Sequence, residues 1–100
     1  MIQGSSAAIK HAVAPVDAAA VLDGVASLDI SSWSYDAEPG VRHLGPMAEE
    51  FAAVFGLGAN PAGIAAVDAD GVALAAIQAL AAENAELEAR IAALEAQLTD

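Results

Sequence analysis

Few side chains in this sequence of 100 residues could do chemistry, and their types narrow what chemistry is open to it. There is no cysteine, which removes thiolate nucleophiles, disulfides and sulfur-ligated metals and leaves the redox compartment open. Asp68 and Asp70 are close carboxylates of the kind that can hold a cation. No EF-hand order of ligands follows them, and capping of a helix that starts there accounts for both. Gly56 and Gly58 frame a glycine turn, but it follows a helical segment and lacks a lysine, so it is not a phosphate-binding loop. The histidines are His11 and His43. Read alone, His43 is a surface or turn residue of a hairpin, and His11 belongs to no motif. Neither a metal nor a cofactor is expected.

The charge balance excludes whole classes of partner. Asp and Glu number 14, against Lys10, Arg42 and Arg90, for a net charge of −11. Three cations cannot neutralise a nucleic-acid backbone, which takes several Lys or Arg contacts. An anionic membrane surface would repel the chain for the same reason. No apolar run reaches 18 residues and no cationic, apolar leader opens the chain, so neither a membrane span nor a signal peptide is expected. Arg42, one of so few cations, is expected to pair with an acid.

The elements that must position these groups can be read in order. Met1 to Ser6 is a short polar leader, and Ala7 to Ala14 holds the only lysine. Asp17 is the N-cap of a helix whose apolar face is Val21, Leu22 and Val25, with Gly24 weakening its end. Leu28 to Tyr35 reads as a strand, with a bulge at Ser31-Ser32 to restore one apolar face. Asp36 to Gly40 is a turn, and Val41 to Leu44 returns as the second strand of a hairpin. Pro46 suits the first turn of a helix over Met47 to Phe55, which Gly56-Leu57-Gly58 stops. Trp33, Tyr35, Phe51 and Phe55 are the aromatic residues, and all four are assigned to the core. Ala59 to Val67 is a connector with a possible short β segment at Ile64 to Val67.

The last third dominates. Alanine inflates the apolar share of 57%, so much of that character is helix-forming rather than core-filling. From Val67 to Leu98, Ile77, Asn84, Ile91 and Leu98 fall at one heptad position and Leu80, Leu87 and Leu94 at the other. A helix from about Gly71 to Leu98 would run roughly 40 Å at about 1.5 Å per residue. The rest of the chain cannot cover such a rod, so an oligomer is expected, with those seven residues as its interface. The sequence divides into a leader over 1–4, a domain over 5–80 and a coiled-coil extension over 81–100.

Two stretches resemble a known family. VRHLGPMAEEF (Val41 to Phe51) and VDADGVALAAIQAL (Val67 to Leu80) are similar to the C-terminal intramolecular chaperone domain of phage tail spikes and tail fibres, the endosialidase-type auto-processing peptidase. FGLG (Phe55 to Gly58) lies between them in the family's order. Ser5 and Lys10 fit the serine, with a lysine five residues on, that opens the family domain, and Trp33-Ser34-Tyr35 is similar to its W-x-Y segment. The resemblance runs through nearly the whole chain. It implies an α+β fold, mostly helical, with one β-hairpin and a long C-terminal helix forming a trimeric coiled coil. It also implies a chaperone that trimerises, helps an upstream fibre or spike polypeptide to assemble, and cuts itself off. The setting so implied is the cytoplasm of a bacterial host during phage or prophage assembly, with the released domain absent from the mature virion.

The resemblance puts the cut at Gly4–Ser5 and makes Ser5, Lys10 and His43 the catalytic residues. A serine hydroxyl is a poor nucleophile without a base. A lysine serves as base only as the neutral amine, which burial favours and nearby carboxylates oppose. The Ala- and Ile-rich surroundings of Lys10, AAIKHAVA, suit the first of these. Gly4 tolerates the backbone that attack on its carbonyl needs. The resemblance gives His43 the part of proton shuttle or oxyanion donor. The second reading is a non-catalytic oligomerisation module that keeps the fold and has lost self-cleavage. The heptads pose a conflict of their own, because Ile at a, Leu at d and Asn84 at an a position lean towards two strands. A trimer is nonetheless expected, since the head domain can set the number that a short zipper only prefers.

Overall fold

In a computed structural model of the chain, residues 4–99 are described. A single turn of 3-10 helix over Ala7–Ile9 is followed by α1 (Ala18–Ser27), β1 (Ser31–Trp33), β2 (His43–Gly45), α2 (Ala48–Phe55) and α3 (Ala66–Leu98). The result is three helices and a two-stranded antiparallel hairpin. No described helix is long and apolar enough to cross a membrane.

Local devices start and stop these elements. Asp17 caps α1, its Oδ1 accepting the N–H of Ala20 at 3.1 Å. Helix α2 begins after Met47 with no side-chain cap, but Glu49 and Glu50 in its first turn complement the positive end of the helix dipole. Glu50 also accepts the backbone N–H of Asp29 at 3.1 Å, which ties the α1–β1 connection to α2. Gly56 ends α2 at φ +63°, and its N–H reaches the carbonyl of Ala52 at 2.8 Å. Only a residue tolerant of the left-handed region ends a helix this way without strain.

Several sequence expectations shift. The strands are three residues each, paired Ser31↔Gly45, Ser32↔Leu44 and Trp33↔His43, and this register requires no bulge. Trp33 Nε1 donates to the Gly45 carbonyl at 3.3 Å and closes the hairpin from the side. Helix α3 begins at Ala66 rather than near Gly71, so Val67 is helical rather than extended. Its N-cap is Ala65, with no side-chain cap bond, so neither Asp68 nor Asp70 caps it. Asp68 lies in the first turn, where it still complements the dipole.

The core sits where α1 packs along the first half of α3 and meets α2. Its buried residues are Phe51 of α2 with Val72, Ala76 and Ala79 of α3. The α3 members recur at spacings of four and three, which is one stripe of a helix. Alanine on that stripe brings α1 close to α3. Gly24 of α1 does the same toward α2, for a Cβ there would stand 2.7 Å from Cε1 of Phe55. The Phe51 and Phe55 rings lie 4.9 Å apart, tilted by 54° to each other.

From Leu80 onward every described residue of α3 is exposed. With 33 residues, α3 runs about 50 Å at about 1.5 Å per residue. Ile77, Leu80, Leu87, Ile91, Leu94 and Leu98 are all exposed along it. That seam lies one residue, or about 100°, around the helix from the buried stripe. One face of α3 thus serves this chain's core and the adjacent face is left bare.

Candidate functional site

Ser5 and Lys10 are brought together by the short 3-10 turn between them. Ser6 caps it, its Oγ accepting the N–H of Ala8 at 3.1 Å, and Lys10 N–H closes it on the Ala7 carbonyl at 3.3 Å. One such turn reverses the chain enough for Lys10 to reach back, and Nζ lies 2.7 Å from Ser5 Oγ. As an ammonium Nζ donates to Oγ, and as a neutral amine it accepts the hydroxyl proton. Gly4 packs against the same turn, since a Cβ on it would come within 3.1 Å of Ile9 Cδ1. Among the described residues no carboxylate pairs with Lys10.

The pair is open to water. Every described residue from Gly4 to Asp17 is exposed, the flanking apolar residues Ile9, Val13 and Val16 included. The Ala- and Ile-rich neighbourhood that could desolvate Lys10 therefore does not do so within one chain.

His43 lies in a different setting. It is half-buried on β2, its ring 5.2 Å from that of Trp33 and 5.1 Å from that of Tyr35, which are themselves 4.8 Å apart. Its Nε2 is buried with no hydrogen-bond partner among the described residues. A buried imidazole nitrogen left without a partner costs free energy, so such an atom calls for an explanation. His43 bonds neither Ser5 nor Lys10 among the described residues. Trp33 and Tyr35, assigned to the core from the sequence, instead form the surround of His43, and Tyr35 is exposed. The strand alternation that places 33, 35 and 43 on one face of the hairpin was the available signal.

Arg42 points to the opposite face. Its Nη1 and Nη2 donate to Ser34 Oγ at 3.3 Å and Ser32 Oγ at 3.0 Å, so it bonds cross-strand hydroxyls rather than the expected acid. Among the described residues, no group of three or more His, Asp or Glu side chains gathers to hold a metal.

With this geometry in view, the sequence profile of the family described as chaperone of endosialidase matches residues 5–57, more than half of the chain. The chain belongs to the chaperone-of-endosialidase family. The matched stretch opens on Ser5, takes in Lys10, α1, the hairpin and α2, and ends at Leu57 after the glycine stop. The VDADGVALAAIQAL segment lies beyond it, in α3. No curated protein and no solved structure matches the chain.

Proposed function

We infer that this chaperone domain drives the assembly of an upstream tail-spike or tail-fibre polypeptide as a homotrimer and then releases itself by autoproteolysis at Gly4–Ser5. The observation that carries the reading is the 2.7 Å contact between Lys10 Nζ and Ser5 Oγ, at the residue where the family match begins. In the proposed reaction the Ser5 hydroxyl proton passes to the neutral amine of Lys10 as Oγ bonds to the carbonyl carbon of Gly4. The C–N bond to Ser5 then breaks, and Lys10 returns the proton to the leaving nitrogen. Gly4 is left as an ester on Ser5 Oγ. Water hydrolyses the ester, freeing the Gly4 carboxylate and a chain that begins at Ser5. His43 supplies the hydrogen bond to the developing oxyanion or shuttles the proton, a role supported by its Nε2, which has no partner among the described residues.

Assembly enters twice. Ser5 and Lys10 are exposed in one chain, and a lysine acts as base once burial disfavours its charged form. Packing against other chains supplies that burial, so cutting waits for assembly. The bare seam of Ile77, Leu80, Asn84, Leu87, Ile91, Leu94 and Leu98 supports α3 as the trimer's coiled coil. After release the passenger cannot retrace its folding path, and its durability becomes kinetic.

Denaturing mass spectrometry of freshly expressed protein tests this. Loss of Met1 to Gly4, abolished by Ser5→Ala, is expected, with Lys10→Ala also uncut but still assembled. Intact mass in a confirmed trimer, unchanged by Ser5→Ala, refutes the catalytic part. That result would favour the second reading, an oligomerisation module without proteolysis, which the exposure of both residues already supports.

A further inference from the structure

The hairpin face that carries Arg42 has no part in the chemistry above, yet it holds a cation without an acid partner among the described residues. Of the three cations in the chain, Lys10 is engaged by Ser5 and Arg90 lies 2.9 Å from Glu86. Arg42 bonds only the neutral hydroxyls of Ser32 and Ser34, and no carboxylate comes within salt-bridge distance among the described residues. A guanidinium has five N–H donors, so most of its capacity is left over. The two serines hold it in place, and a prepositioned fork loses little freedom on meeting a carboxylate. Beside it, Leu44 is 75% exposed, which makes the face apolar as well as cationic.

Two features say what such a face should meet. A hairpin of two three-residue strands is marginal by itself and gains from being covered. Each copy also carries a charge of −11, so copies that associate repel one another, and an interface that pairs a cation with an acid offsets part of that locally. The hairpin lies at the height of the first turns of α3, for Leu44 to Met47 and Ala69 line one groove of about 470 Å³. Asp68 and Asp70 flank Ala69. Asp68 is half-buried beside Gly58, and Asp70 is exposed and forms no ion pair among the described residues. In a parallel, in-register assembly, residues at one height on neighbouring copies face each other.

We propose that the Arg42–Leu44 face of the hairpin docks on the start of α3 of a second copy, with Arg42 paired to the Asp70 carboxylate of that copy. This rests on the self-association put forward above and names the contact that sets its register at the head. It gives a cation that has no acid partner among the described residues and an exposed carboxylate one use, and it covers Leu44.

Charge reversal tests it. Association of the full chain is measured by sedimentation for wild type, Arg42→Asp, Asp70→Arg and the double variant, with helicity checked by circular dichroism. Each single reversal should weaken association about ten-fold or more, and the double should recover most of it. Arg42→Gln, which adds no repulsion, should weaken association less than Arg42→Asp and should reduce its sensitivity to salt. Singles that associate like the wild type, or a double no better than its worse single, overturn the pairing while leaving self-association intact. A wild type that is monomeric at every concentration refutes self-association itself, and the pairing with it.

Discussion

Replacing Gly24 with alanine sets two effects of opposite sign against each other, and the structure decides between them. Gly24 is inside α1, where alanine is favoured over glycine by about 1 kcal/mol. The methyl group would, however, stand 2.7 Å from Phe55 Cε1, 3.0 Å from Val54 Cγ1 and 3.1 Å from Phe55 Cζ. Carbon atoms prefer roughly 3.5–4.0 Å, so three contacts are overlapped at once. The Phe55 ring cannot simply swing aside, because it lies 4.9 Å from the ring of Phe51, the most buried of the described residues. Overpacking of this sort costs about 1–3 kcal/mol. The steric cost therefore wins, and Gly24→Ala should destabilise by about 1 kcal/mol net. That corresponds to a fall in Tm of about 4–8 °C for a domain of this size. The assay is thermal unfolding by far-UV circular dichroism at one fixed protein concentration. In a Phe55→Ala background two of the three close contacts are gone and only Val54 Cγ1 remains, so the same substitution should cost less than it does in the wild type. A higher Tm for Gly24→Ala alone would refute the reasoning, for it would mean that α1 and α2 do not meet closely at this point.

Asp17→Ala removes the side-chain acceptor that caps the start of α1 and should cost about 1 kcal/mol in denaturant unfolding. Gly56→Ala should cost about 1 kcal/mol as well, entirely from the φ of +63°, since nothing lies within 4 Å of the added carbon. Asn84→Ile should strengthen self-association by light scattering while leaving the helix content per chain unchanged, because Asn84 is exposed in the single chain. An unaltered association constant would put Asn84 outside the interface.

The features legible in the sequence are those that act within a few residues. Asp17 caps α1 because its side chain needs only the next turn of backbone, and Gly56 stops α2 because αL geometry is a property of one residue. Ser5 and Lys10 meet because their spacing holds one 3-10 turn, and the chain's family was legible in the same way, through ordered motifs. The bare seam of α3 follows from its heptads, which repeat regardless of what packs nearby.

Only the tertiary structure decided the rest, because it depends on segments far apart in the chain. The buried stripe of Val72, Ala76 and Ala79 consists largely of alanines, and no periodicity marks which alanines of an alanine-rich helix another helix will cover. Gly24 reads as a weak point in α1 until Phe55, 31 positions later, is set against it. Strand pairing placed His43 against Trp33 and Tyr35 and turned Arg42 to the other face toward two serines. Caps, turns and heptads carry their own partners within a turn or two, whereas burial and register are settled by whichever distant surface arrives.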